Sequence, residues 1–320
     1  KGDITMVKKV GVLTSGGDAP GMNACIRAVV RAGIRSGLEM YGIYDGYKGL
    51  LEGNIKKFTR SSVSDILNKG GTILGTARLK EFAEVEVQKK AVEILKSFGI
   101  DALVCIGGDG TYKGAQALSR LGINCIGVPG TIDNDIASTD FTIGFDTALN
   151  TIIECVDRLR DTSSSHQRCS IIEVMGNRCG DLSAYAGLAC GAELIITNDA
   201  PMTKSEVIKI LQEQRKEGKR HAMIIISEKI CDVHEFAHEI ENQCGFETRA
   251  EVLGHMQRGG SPTASDRILA SRLGEYAIEL LTRGISSSCV GIVSNSLIYY
   301  NIEDALKLPR KKSDEFIKIG

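Results

Sequence analysis

The sequence predicts an α/β fold of two Rossmann-like lobes with mainly parallel sheets, and three observations carry that prediction. Short apolar, β-branched runs alternate with amphipathic helical patterns along the chain, the order expected when crossover helices join parallel strands. Several of those runs end in a glycine-rich turn that leads straight into a helix, most plainly in Ala102 to Thr111, ALVCIGGDGT. The length, 320 residues, is long for one core and suits two lobes of ordinary size. Ligands of such sheets gather at the carboxyl ends of the strands, so the active site is expected in the cleft between the lobes.

Taken in order, Val7 to Thr14 reads as a strand that breaks into Ser15-Gly16-Gly17-Asp18. A helix over Ala24 to Ser36 follows, with Arg27, Arg31 and Arg35 along one face; judged alone, that is a solvated face. Leu38 to Tyr44 is a second strand, Asp45 to Gly49 a loop, and Ser61 to Asn68 a short helix behind Arg60. Gly70 to Arg78 is another glycine-rich loop, and it ends in a cation. Val85 to Phe98 carries an apolar stripe of Val87, Ala91, Ile94 and Leu95 and so predicts an amphipathic helix. It feeds the central unit: the strand Leu103 to Ile106, the turn Gly107 to Thr111, a helix, the strand Cys125 to Val128, and the turn Pro129-Gly130-Thr131-Ile132-Asp133-Asn134-Asp135. Parallel strands release both turns at one edge, so Asp109 should face the same crevice as Asp133 and Asp135.

Further on, Thr147 to Leu159 is helical, Asp161 to Arg168 a polar loop, and Ser170 to Val174 a strand ending in Met175-Gly176-Asn177-Arg178. A helix over Leu182 to Cys190, a strand over Leu194 to Thr197 and a capping box at Thr203 and Glu206 come next. His221 to Ile226 is a strand, Val233 to Glu241 a helix and Ala250 to Leu253 a strand before the turn Gly254 to Pro262. Thr263 to Thr282 is a long helix, and Cys289 to Ser294 the last strand expected. Lys1 to Thr5, ahead of Met6, are expected to be additions to the natural start.

Composition narrows the function. The net charge of −1 implies neither nucleic acid nor membrane as a partner, and no apolar stretch approaches the length of a membrane span. Ten cysteines, none closer than ten residues to the next, exclude CxxC spacing and read as reduced intracellular thiols.

Three patterns compete for the chemistry. Gly108-x-Gly110-x-x-x-Gly114 after a strand approaches a dinucleotide fingerprint, but the next strand ends in Val128-Pro129-Gly130 where an acidic residue should hold the ribose. His234-Glu235-Phe236-Ala237-His238 is a literal HExxH, the zinc-peptidase pattern, yet Glu241 stands where its extension needs glycine. The set of polar turns, by contrast, supplies every part of a phosphoryl-transfer site. Gly16-Gly17 and Gly108 to Thr111 make a phosphate cradle, Asp109 a metal ligand, Arg78 a cation, and Asp133 or Asp135 a base. No Walker A lysine is present. Arg168, Arg249, His255 and Arg258 supply more positive charge than a nucleotide requires, which points to a phosphorylated acceptor.

TSGGDAPGMN, GGDGT, PGTIDND, DTSSSHQR, VMG with CGDL, and LGHMQRGGSP, in this order over nearly the whole chain, resemble the ATP-dependent 6-phosphofructokinases of bacterial type. The resemblance implies a kinase that transfers the γ-phosphoryl of ATP to the 1-hydroxyl of fructose 6-phosphate, in the cytoplasm, as a homotetramer. By it, Gly17, Arg78, Gly108, Asp109, Gly110 and Thr111 meet ATP, and Asp109 holds Mg²⁺. Asp133 is the base, with Arg78 and Thr131 beside it. Thr131, Ile132, Asp133, Met175, Gly176, Asn177, Glu228, His255, Met256, Gln257 and Arg258 would hold the sugar phosphate, with Arg168 and Arg249 reaching in from a neighbouring subunit. An effector site, activated by ADP or GDP and inhibited by phosphoenolpyruvate, maps onto Arg27, Arg31, Arg60, Ser64, Asp65, Arg160, Gly191, Glu193, Lys219, Arg220 and His221. The lobes implied are residues 1–143 with 256–306 for ATP and 144–255 with 307–320 for the sugar phosphate.

Two positions depart from the family pattern. Asn177 stands where arginine follows Met-Gly, with Arg178 one place later, and Glu217 stands where a basic residue precedes Lys219 by two. Gly110 and Gly130 are Asp and Lys in pyrophosphate-dependent relatives; glycine at both implies room for the α-phosphate of ATP.

Overall fold

The computed structural model describes residues 7–310. The chain folds into two compact units: the described residues up to Ile132, Ile136–Thr147 and Arg258–Arg310 form one, and Asp133–Asp135 with Ala148–Gln257 the other. The crossing expected at 143/144 thus falls at 147/148, inside a helix, the return at 257/258, and residues 307–310, expected in the second lobe, group with the first unit. Residues 311–320 of the expected second lobe, and Lys1 to Thr5, lie outside the described residues.

The chain runs β1 (Lys9–Ser15), α1 (Met22–Arg35), β2 (Glu39–Ile43), α2 (Gly46–Leu51), β3 (Ile55–Phe58), α3 (Val85–Phe98), β4 (Ala102–Gly107), α4 (Asp109–Arg120) and β5 (Asn124–Pro129). Then come α5 (Phe145–His166), β6 (Cys169–Val174), α6 (Asp181–Cys190), β7 (Leu194–Ile196), α7 (Lys204–Lys216), β8 (Ala222–Ser227), α8 (Val233–Cys244) and β9 (Thr248–Val252). It finishes with α9 (Ala264–Thr282), β10 (Ser288–Val293), β11 (Ser296–Asn301) and α10 (Ile302–Ala305).

The first unit holds a seven-stranded sheet in the order β11-β10-β5-β4-β1-β2-β3. It is parallel from β10 to β2 and bordered by antiparallel β3 and β11. β4 is buried along its whole length, as a central strand covered by helices on both faces must be. On α3, Ala91, Val92 and Leu95 are buried, with Val87 and Ile94 packed at the edge of the same cluster, so the apolar stripe faces the sheet. The second unit is built on a parallel sheet in the order β7-β8-β6-β9, whose β8 reads AMIIIS and is buried throughout.

Four local expectations are corrected. Asp161 to Arg168 is not a loop: α5 continues to His166, and the Ser165 hydroxyl donates back to the Asp161 carbonyl at 2.9 Å, the local bond by which short polar side chains join a helix. Asp45 to Gly49 is not a loop either, because α2 turns Tyr47 inward, where its ring stacks on Phe82 with centroids 4.3 Å apart. Ser61 to Asn68 forms only a 3₁₀ turn at Ser61–Val63. β3 and β11 are additional to the strands expected; both are edge strands with exposed polar positions, which weakens their alternation. Among the described residues no helix is long and apolar enough to cross a membrane.

Candidate functional site

Register brings the glycine turns expected to hold phosphate to one edge. Ser15 pairs with Gly107 and Gly107 with Pro129, so β1, β4 and β5 end in line and release their turns at one edge of the sheet. Gly108 precedes α4, and the Thr111 and Tyr112 amides donate to the Gly108 carbonyl at 3.0 and 3.1 Å. Asp109 is the first residue of α4, where the helix dipole favours negative charge; its carboxylate is half exposed and pairs with Lys113 at 2.6 Å. The Thr111 side chain does not face outward: it is buried and donates to the Ser15 carbonyl at 3.0 Å.

Gly17 lies under Arg258. A Cβ there would come within 2.9 Å of the Arg258 Cζ, and Nη1 of that guanidinium donates to the Asp18 carbonyl at 3.1 Å. Arg258, expected on the sugar side, is therefore held against the first glycine turn within the first unit. The Gly70 to Arg78 loop is organised by Asn23, a buried residue to which the sequence assigns no role. Its amide donates to the Lys69 and Gly70 carbonyls at 3.1 Å each and its oxygen accepts from the Ile73 amide at 2.7 Å. Thr14 and Thr76 tie the same loop to the first turn through Gly75 and Gly16 at 2.8 and 2.6 Å. Arg78 stands exposed at its end.

After β5, Gly130 and Thr131 are pinned to a neighbouring segment: the Thr131 amide donates to Ile143 at 3.0 Å, and the Thr142 hydroxyl donates to the Thr131 carbonyl at 2.6 Å. Ile132 is fully buried, and Asp133 and Asp135 are half-buried. Asn134 between them takes a left-handed conformation, φ 52°, which asparagine tolerates better than most residues. Its amide donates to Asp181 at the start of α6 at 2.8 Å. The middle of the DND run is thus its anchor.

In the second unit, the turn after β6 and the end of β8 converge. The Asn177 amide donates to the Glu228 carboxylate at 2.7 Å, and Lys229 reaches the Asn177 side chain at 2.8 Å. Asn177 has φ 58°, a left-handed conformation that asparagine adopts more readily than arginine. Burial raises the Glu173 carboxyl above its ordinary range, and the negative charge of Glu228 adds to the effect. Gln257 is fully buried and spends its side chain on the Met175 amide at 3.0 Å and the Gly254 carbonyl at 2.9 Å. It positions Met175 and Gly176. His255 and Met256 are exposed.

Arg168 and Arg249 stand at the opposite end of this sheet. Arg168 directly precedes β6, whereas Met175 directly follows it, and Arg249 pairs with Ser170 near the start of β9. Six residues of strand span about 20 Å. Arg168 and Arg249 both pair with Glu247, at 2.9 and 2.6 Å, and the Arg168 hydrogen bond, with the positive charge of both arginines, holds that carboxyl below its ordinary range.

The residues expected at the effector site form two groups, one in each unit. In the first, burial lowers the Arg27 guanidinium, and Arg31 and Arg60 lower it further, so three cations crowd together; Ser64 donates to the Arg60 carbonyl at 3.4 Å and Asp65 takes φ 54°. In the second, Arg160 donates to the Cys190 carbonyl and, at 3.5 Å, to that of Gly191. Lys219 pairs with the nearly buried Glu193 at 2.8 Å, Glu193 also accepts from the Met223 amide at 2.5 Å, and Arg220 and His221 continue the chain toward β8. Glu217 is exposed at the end of α7.

His234 and His238 lie on α8, but no three His, Cys, Asp or Glu side chains among the described residues could hold a metal together, so the zinc-peptidase alternative has no site.

The sequence pattern of the family described as Phosphofructokinase matches residues 9–281. A Vibrio campbellii protein named ATP-dependent 6-phosphofructokinase is 59% identical over 302 residues, 94% of each chain, and one of the same name from Vibrio vulnificus is 58% identical over 316 residues, 98% of this chain and 99% of the relative. Among solved structures, phosphofructokinase from Pichia pastoris in the T-state superposes with a TM-score of 0.89 at 37% identity, covering 96% of this chain and 36% of its own. The pyrophosphate-dependent enzyme of Marinobacter aquaeolei shares the fold, with a TM-score of 0.86 at 21% identity over 95% of this chain and 85% of its own.

Proposed function

The chain belongs to the phosphofructokinase family, and from that premise we infer that it transfers the γ-phosphoryl of ATP to the 1-hydroxyl of fructose 6-phosphate, giving fructose 1,6-bisphosphate and ADP. The observation that carries this reading is the common edge of β1, β4 and β5, where the glycine turns and the segment leading into Asp133 all leave the sheet. Gly16, Gly17 and the first amides of α4 would cradle the donor phosphates, with Arg78 as the cation for their oxygens. Asp133, on a turn anchored through Asn134, would accept the proton of the sugar hydroxyl.

Magnesium fits this donor set. A single carboxylate at a helix N-terminus, with no cluster around it among the described residues, suits an ion that keeps most of its ligands as water and phosphate, and Asp109 is that carboxylate. Once bound, the ion would neutralise charge on the phosphate oxygens. Asp109 would have to exchange Lys113 for the ion.

The sugar phosphate would rest on Met175, Gly176, Asn177 and Glu228 at the carboxyl end of the second sheet. Arg168 and Arg249, about a strand length away, cannot serve the same molecule from the same chain, which supports their donation by a second copy in a homotetramer. The two groups of cations suit a polyphosphate effector such as ADP or GDP, with phosphoenolpyruvate as inhibitor, and Glu217 would weaken binding of either anion. Ten unpaired thiols fit a cytoplasmic enzyme. A coupled assay with ATP, Mg²⁺ and fructose 6-phosphate tests the activity: formation of ADP without fructose 1,6-bisphosphate would refute it. Sedimentation of the active enzyme as a monomer would refute the sharing of arginines.

A further inference from the structure

Resting on the assignment of Arg168 and Arg249 to the sugar phosphate, we propose that Glu247 is the internal counter-anion of that pair, a carboxylate that the incoming phosphate must displace, and that it thereby sets the affinity for phosphorylated sugar. The three residues come together through strand register. Cys169 pairs with Thr248, so Arg168, one place before, lies beside Glu247, and Arg249 follows two places on. One carboxylate oxygen, Oε1 of Glu247, accepts from Nη2 of Arg168 at 2.9 Å and from Nη2 of Arg249 at 2.6 Å. Two guanidinium groups that would otherwise repel are thus drawn to a single point by one negative charge.

That point has the recognition chemistry of a phosphate oxygen, since each arginine presents a donor to it and both are cationic. Neither guanidinium is saturated by the carboxylate. The Arg168 Nε is buried without a hydrogen-bond partner, and Arg249 directs Nη1 to the Thr248 carbonyl at 3.0 Å, with Glu241 only at 3.9 Å. A phosphate brings three oxygens and up to two charges where Glu247 engages both arginines through one oxygen and a single charge, so it can replace the carboxylate, but only after breaking two charge-assisted bonds. The carboxylate also stays nearby as a like charge.

Replacement by glutamine separates charge from shape. Glu247→Gln keeps the length and an Oε1 acceptor for the arginines while removing the competing charge. Titration calorimetry with fructose 6-phosphate, without nucleotide, should show binding about tenfold tighter than in the parent, with KM for the sugar falling in step and KM for ATP unmoved. Unchanged or weaker binding would overturn the proposal, because Glu247 would then position the arginines or stand by. Glu247→Asp keeps the charge and should bind within about twofold of the parent; equal tightening in both variants would assign the effect to packing and would also overturn it. Arg168→Ala and Arg249→Ala examine the underlying assignment separately. Should both leave sugar-phosphate affinity intact, the assignment fails and the proposal with it, whatever the Glu247 variants do.

Discussion

The Thr111 hydroxyl, in the first turn of α4, donates to the Ser15 carbonyl at the end of β1 across 3.0 Å, and both residues are buried. This bond fastens one glycine turn of the proposed phosphate cradle to the other, and Tyr47 reinforces it by donating to the Thr111 carbonyl at 2.7 Å. Thr111→Val keeps the shape but leaves the Ser15 carbonyl unsatisfied, a cost of about 1–3 kcal/mol. We expect a thermal midpoint several degrees lower and a KM for ATP raised by roughly 3–10-fold as the turns lose their spacing. Thr111→Ser, which restores the donor, should recover most of both. If serine is as damaging as valine, the methyl group and not the bond matters.

Asp133→Ser removes the proposed proton acceptor. Turnover should drop by roughly 10²–10⁴-fold, the usual contribution of general base catalysis, while ATP binding measured by equilibrium titration stays near that of the parent. A mutant with parental kcat would move the base elsewhere in the DND run, Asp135 being the first candidate.

Much of the fold is legible in the residues themselves. The apolar runs of β1, β4 and β5 and the stripe of α3 are strong local patterns, and α3 spans Val85–Phe98 as its periodicity implies. α2 is hidden because GYKGLL has two glycines in six residues; its helical state rests on the burial of Tyr47 and Leu50, a tertiary effect. In the site, the residues that bear charge are visible from their turns, whereas those that hold them in place, Asn23, Asn134 and Gln257, carry no such mark. Their partners are 46, 47 and 82 positions away in sequence, and such pairs have no local signature.

The thiols make the protein sensitive to alkali. Burial pushes Cys169 up to about 12 and Cys289 to about 11, from 9.0, because a thiolate would be stranded in the core. With folded values raised above the unfolded ones, these groups favour the folded state fully below pH 9 and lose that contribution as pH rises through 11 to 12. The loss is on the order of 1.4 kcal/mol per pH unit for each thiol while the unfolded form alone is ionised. Guanidinium unfolding midpoints should hold steady from neutrality to about pH 8.5 and then decline. Iodoacetamide should label the half-buried Cys190, raised to about 11, before either core thiol, and only slowly at neutral pH. Rapid labelling of Cys169 in the native protein at about pH 7.5 would contradict this account of its burial.

If the two glycines govern donor choice, the structure makes Gly110 the more direct lever of the two. A Cβ at Gly110 meets nothing within 4 Å, so the space there is open to a ligand. At Gly130 a Cβ would lie 2.9 Å from Cγ2 of Ile106 and 3.4 Å from Cε of Met22, inside the packed first unit. A side chain at 130 would thus crowd Ile106 and Met22, so packing favours glycine there whatever room it leaves for the nucleotide. Gly110→Asp should fold with a thermal midpoint close to the parent's. It should nevertheless raise KM for ATP by tenfold or more, since a carboxylate about 6 Å from a phosphate costs on the order of 2–3 kcal/mol at an effective dielectric near 20. Gly130→Lys should instead lose about 1–3 kcal/mol of stability through overpacking, with a smaller direct effect on nucleotide affinity once folded. Melting curves and KM values for the two variants separate the roles. A Gly110→Asp enzyme that keeps the parental KM for ATP would show that the donor phosphates pass elsewhere, and a Gly130→Lys enzyme of undiminished stability would show that the β5 turn can open to admit a side chain.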